Sequence, residues 1–250
     1  MNDIGTEVDR ATERALRIEL AALLRIAARL GWSEAVANHA SVALDAAGRY
    51  FLMNPRWRHF GLVRASDLQR LDAEAAPQAL PADLDPTAWA IHGTMHAQLP
   101  QARCILHVHA PYATALSCLA DPQIKPLDQT CARFYGRVAV DLCYGGMADN
   151  AAEGLRLVRA LGDKRVLIMG NHGVLVVGDG VAEAFDALYH LERASRTTLL
   201  AYASGRPLSI LSAEIAEKTA RAWEDGGAFA RAHFAEMQRL IELESPGYAE

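Results

Sequence analysis

The chain has 250 residues, 51% of them apolar, enough to bury a sizeable core as one large α/β domain or two small ones, and a single domain spanning 1–250 is the expectation. A net charge of −5, with no arginine- or lysine-rich run, lacks the field that an extended nucleic-acid partner needs and leaves a small molecule as the expected one. No apolar run approaches the roughly 20 residues that cross a bilayer, and the opening MNDIGTEVDRATER has no apolar signal core, so a cytoplasmic protein without a membrane partner is expected.

From Thr6 to Leu30, apolar residues recur at helical spacing (Leu16, Leu20, Leu23, Leu24, Ile26, Leu30), which predicts an amphipathic helix stopped by Gly31. NHASVAL and RYFLMNP, joined by the turn DAAG, predict a hairpin whose second strand ends at Pro55. Asn38, His39 and Ser41 fall where the apolar pattern pauses. They either cap and pin a loop or face a ligand. Pro86, with Asp85 as N-cap, opens a helix through TAWAIHGTMHAQL. Its spacing sets His92 and His96 on one face, as a hydrogen-bonded buried pair or as a ligand pair.

RCILHVHAPYATALSCL, Arg103 to Leu119, is a strand followed by a helix that Pro111 opens. Successive strand side chains point to opposite faces, so His107 and His109 share one face while Leu106 and Val108 take the other. Two neutral imidazoles so spaced can hold one divalent ion, and His172, in the turn of RVLIMGNHGVLVVG, offers a third. Three histidines leave a coordination position open for substrate or water.

Between Lys125 and Tyr144 a short helical piece precedes the strand RVAVDL, with Gln129, Arg133, Tyr135 and Asp141 as polar candidates, each better suited to holding the fold than to chemistry. Asn150 is expected to cap a helix running to Gly162, a long helix runs from Val181 to Ser204, and a last helical stretch, Ser212 to Glu244, forms a C-terminal extension. Cys104, Cys118, Cys131 and Cys143 form no CxxC pair, lie mostly in apolar surroundings and read as buried free thiols.

In that order, IHGTMHAQLPQA, HVHAP and NHG resemble the class II aldolase/adducin family over roughly residues 10 to 210, and FLMNP and QTCARFYGRVAVD look closest to its adducin-like bacterial branch. The resemblance implies one α/β/α layered domain around a central, largely antiparallel or mixed sheet. It implies a divalent metal, zinc first with Mn or Fe(II) as alternatives, on His107, His109 and His172, and a homotetramer with sites near subunit interfaces. NHAS stands where the family's sugar-phosphate enzymes hold substrate oxygens, which makes Asn38 and Ser41 expected substrate contacts. The family's acid/base falls near Ala88 here, and neither Thr87, Ala88 nor Trp89 can transfer a proton near neutral pH. His92, one helical turn on, is the expected replacement, with Tyr135 next in line. The expected function is a metal-dependent lyase, aldolase or decarboxylase in type, acting on a small carbonyl- or carboxylate-containing substrate. Two alternatives stand beside it: an iron(II) oxygenase of a 2-oxo or 2-hydroxy acid, and a non-catalytic assembly module of the adducin kind.

Overall fold

The computed structural model describes residues 9–76, 80–144 and 152–250, so the helix start expected at Thr6 and the cap expected at Asn150 lie outside the described residues. In chain order the elements are α1 (Arg10–Arg29), β1 (His39–Ala43), β2 (Tyr50–Met53), β3 (Gln69–Asp72), α2 (Pro86–Gln98), β4 (Cys104–Val108), α3 (Pro111–Ser117) and α4 (Gln129–Ala132). They continue as β5 (Val138–Asp141), α5 (Ala152–Leu161), β6 (Val166–Met169), β7 (Gly173–Gly178), α6 (Val181–Ala203), α7 (Ala213–Glu224) and α8 (Gly227–Glu244).

All seven strands join one sheet in the order β3-β2-β1-β4-β7-β6-β5. Every neighbouring pair is antiparallel except β5 with β6. This is a single α/β domain with a mixed, largely antiparallel sheet between helices, as expected. Strand β4 sits in the middle, and all five of its residues are buried. Its alternation sorts the two faces. Leu106 and Val108 join the core built with Leu20, Leu23 and Leu24 of α1 and Phe185 and Leu188 of α6. Ile105 packs on the other face with Ile91 and Met95 of α2 and Leu157 and Leu161 of α5. Removing such fully buried side chains from water stabilises the fold by roughly 1.5–3 kcal/mol each.

The hairpin forms as expected, with Ser41 opposite Met53 and Ala43 opposite Phe51. Its turn touches the far end of α2: Gly48 has φ 73°, and a Cβ there would stand 2.0 Å from the His96 carbonyl oxygen. Only glycine fits that contact.

Two elements differ from expectation. Strand β3, QRLD, pairs with β2, although only Leu71 in it is fully buried, so it carries no alternating apolar pattern to read. The C-terminal stretch is two helices broken at Asp225 and Gly226 rather than one. It also folds back on its own chain: Arg25 of α1 donates to Ser245 Oγ at 2.5 Å, and the Ala65 backbone N–H to the Tyr248 carbonyl at 2.8 Å.

Candidate metal centre

His107 projects from β4, His109 follows it just beyond the strand end, and His172 sits in the turn between β6 and β7. Strand pairing of β4 with β7 brings that turn alongside, with Val108 opposite Val174. Asn171, at φ 55°, makes the reversal, its N–H bonded to the Ser117 carbonyl at 3.0 Å. One ligand nitrogen from each of the three rings lies within 4.8 Å of the others.

Hydrogen bonds fix which nitrogens are free. His107 Nδ1 donates to the Val174 carbonyl at 3.2 Å, and His109 Nδ1 donates to the Glu34 carboxylate. With Nδ1 donating, the neutral form of either ring carries its lone pair on Nε2. His109 Nε2 is buried and has no partner among the described residues. Burial and the neighbouring imidazoles hold His107 well below the usual histidine range, and burial lowers His172 as well, so these two rings are in the neutral form that binds a cation. An orphaned, buried acceptor facing two further imidazoles fits a divalent ion of the zinc, Mn or Fe(II) kind.

Gly173 protects this arrangement. A Cβ at this position would stand 2.6 Å from His109 Cδ2 and 2.9 Å from the Val108 oxygen, so one of the two must move. Gly173→Ala is expected to lower zinc affinity by roughly 10- to 100-fold, the range seen when the support of a ligand is disturbed. Competition against a chromophoric chelator measures it, and unchanged affinity would show that the ring can shift without leaving the centre.

Behind the centre runs a chain of hydrogen bonds under α2. His96 Nδ1 bonds to the Ala102 carbonyl at 2.6 Å and must donate, since a carbonyl only accepts. Ser41 Oγ therefore donates to His96 Nε2 at 2.7 Å and accepts from His92 Nδ1 at 2.5 Å. His92 Nε2 in turn accepts from His39 Nδ1 at 2.7 Å. The polarity leaves Nε2 of His39 without a proton, and His39 lines the same cavity as the three ligands. Its ring lies 4.9 Å from that of His107, opposite which it pairs in the sheet. Desolvation pushes His39 down to about 4 and His96 to about 3, and holds His92 well below its ordinary value. All of them are neutral at pH 7.

The cavity has a volume of about 340 Å³, the size of a small-molecule site. Asp85, Ala88, Arg56, Asp141, Arg156 and Tyr144 contribute to its wall. Residue 88 offers only a methyl group, as the spacing indicated, yet Asp85 stands one turn earlier on the same wall. Its Oδ1 accepts from the Thr87 and Ala88 N–H groups. Arg156 is neutralised by Asp141 and Glu153, while Arg56 has no carboxylate partner among the described residues and stacks on Trp57.

Not every expected residue reaches this wall. Ser41 is fully buried, and both of its bonds go to His92 and His96, so the expected substrate contact has no exposed oxygen to act through. Asn38 is also buried. Its Oδ1 holds the Glu34 N–H at 2.6 Å, and its Nδ2 is left without a partner. His92 meets the cavity only through His39. Tyr135 is not among the cavity's lining residues. Its neighbours Phe134 and Gly136 instead line a separate cavity of about 810 Å³ beside α6, α7 and α8. That larger space holds no comparable chemistry, since Arg133, Arg137, Arg165 and Arg231 are each paired with a carboxylate.

No local pattern marks Glu34, Arg56 or the cavity position of Asp85, because their relation to the histidines exists only across the fold. A signal for His39 was present in its alternation with Ser41.

A mixed sheet between helices, with imidazoles converging from its central strand and an adjacent turn, defines an α/β protein equipped for a divalent ion. The chain belongs to the family described as the Class II Aldolase and Adducin N-terminal domain, which matches residues 18–199. It is 32% identical over 238 residues to a provisionally named aldolase class 2 protein of Caulobacter vibrioides, covering 94% of this chain and 91% of that one. Among solved structures, an aldolase II superfamily protein from Pseudomonas syringae superposes with a TM-score of 0.85 at 29% identity, over 96% of both chains. L-fuculose 1-phosphate aldolase from Glaciozyma antarctica PI12 superposes with a TM-score of 0.81 at 25% identity, over 100% of this chain and 97% of that one. No described helix is long and apolar enough to cross a membrane.

Proposed function

We propose that the protein is a zinc-dependent carbon–carbon lyase acting on a small substrate that carries a carbonyl or hydroxyl next to a carboxylate. The observation that carries this reading is the buried, unpartnered Nε2 of His109 within 4.8 Å of ligand atoms of His107 and His172. A divalent cation held there supplies a Lewis acid that polarises a substrate carbonyl and acidifies a neighbouring hydroxyl.

The chain's own groups do the rest. His39 Nε2, unprotonated and facing the cavity, takes the proton of the substrate hydroxyl as the carbon–carbon bond breaks, and returns it to the carbon left with the electron pair. His92 and Ser41 hold that ring in its tautomer. Arg56, at the wall and without a carboxylate partner among the described residues, suits the carboxylate. Decarboxylation is the easier branch of this chemistry, because carbon dioxide departs without a base and the loss of the acid at Ala88 then matters less.

The methyl group at residue 88 favours a second reading, an assembly domain that keeps its imidazoles without turnover. We place a homotetramer in the same proposal. The edge strand β5 and its continuation expose Val140, Leu142 and Tyr144 beside the cavity, a face suited to another copy, and light scattering at micromolar concentration reads the state.

One experiment separates the readings: metal analysis of protein purified without added metal, then product and oxygen-uptake assays on 2-oxo and 2-hydroxy acids. One zinc per chain and cleavage without oxygen uptake supports the lyase. Iron with oxygen consumption identifies an oxygenase, and zinc without turnover identifies the assembly domain. Protein that takes up no divalent ion ends the proposal.

A further inference from the structure

The loop between α1 and β1 is built around an acidic side chain that does not line the cavity. Glu34 reaches across to accept the Nδ1 proton of His109, and no lysine or arginine pairs with it among the described residues. Its side chain is nevertheless 65% exposed, where water would otherwise satisfy the carboxylate. The backbone is held for this reach. Asn38 Oδ1 accepts the Glu34 N–H at 2.6 Å, the Glu34 carbonyl accepts from the Ala37 N–H at 3.0 Å, and Ala35 between them stands at φ 48°. An alanine rarely adopts that conformation unless its surroundings impose it.

At the other end of the contact, His109 Nε2 is buried without a partner. A carboxylate on Nδ1 fixes the tautomer that presents Nε2, orients the ring and raises the basicity of its lone pair. We infer that Glu34 is a positioning residue that sets the metal affinity of the centre through His109, and that Asn38 acts on the metal indirectly by holding the Glu34 loop. This rests on the metal reading of the three histidines.

The test is zinc titration of the wild type, Glu34→Gln and Glu34→Ala against a chromophoric chelator near pH 7.5, with thermal melts of the metal-free proteins alongside. Glu34→Ala should bind zinc roughly 10- to 100-fold more weakly than the wild type. Glu34→Gln should recover part of that loss, because its amide oxygen can still accept from Nδ1. The metal-free melting temperatures should agree within a few degrees, since the side chain is exposed and contributes little to the fold. Equal zinc affinity of the wild type and Glu34→Ala overturns the inference while leaving the metal centre intact. A matching drop in metal-free melting temperature and zinc affinity in both variants also overturns it, by assigning Glu34 to the loop's stability alone. A wild type that binds no zinc fails at the earlier step and removes the centre with the inference.

Discussion

His107→Gln should yield folded protein without stoichiometric zinc and without turnover. The residue is 7% exposed in the central strand of the sheet, and its ring lies 4.8 Å from that of His172 and 5.2 Å from that of His109. Glutamine matches the size of imidazole closely enough to limit the cavity, so the fold should lose only about 1–3 kcal/mol. The amide offers a poor ligand oxygen in place of a neutral nitrogen. With one of three ligands gone the affinity should fall well beyond the roughly 10- to 100-fold expected from disturbing a ligand's support. Metal analysis after dialysis, paired with a thermal melt, checks both halves. Retention of one zinc per chain would show that the ion sits on other groups.

The second large effect is expected from His92→Gln, with the opposite signature: metal retained, turnover lost by roughly 100- to 10,000-fold. His92 is fully buried and touches no ligand of the centre through a hydrogen bond. Its task is to accept from His39 on one nitrogen while donating to Ser41 from the other. A glutamine can satisfy one of those partners with its amide oxygen or the other with its amide N–H, but it cannot move a proton between them as imidazole does. His39 would then lose the partner that keeps its Nε2 free. The measurement is kcat/KM on the identified substrate together with zinc content. Full activity would mean that His39 needs no support from behind, and loss of zinc would make His92 part of the ligand set.

Much of this site could be read along the chain because its strongest signals are local. HVH places two rings on one strand face within three residues, Pro86 after Asp85 marks the start of α2, and GNHG marks a reversal. The departure at Ala88 was equally legible once the resemblance implied an acid/base at that place on the helix before the strand. What escaped are relations between segments distant in sequence. Glu34 meets His109 from 75 positions away, and no periodicity announces that. Ser41 is a case of the same kind: the resemblance implied a substrate contact, whereas α2 lies over β1 and the hydroxyl is bonded to His92 and His96. The C-terminal break had a local sign in Gly226 and Gly227, which the apolar spacing on either side obscured.

The line of imidazoles under α2 has one open end. At the cavity it presents an acceptor, but at the other end His96 is bonded to the Ala102 carbonyl, which has no proton to give and cannot take one onward. His96 is itself only 2% exposed, so water offers no exit there. The line is therefore a reservoir and not a conduit to solvent. Whatever hydrogen His39 removes from a bound molecule has only the cavity to return to, so the proton taken in one step is the one at hand for the next.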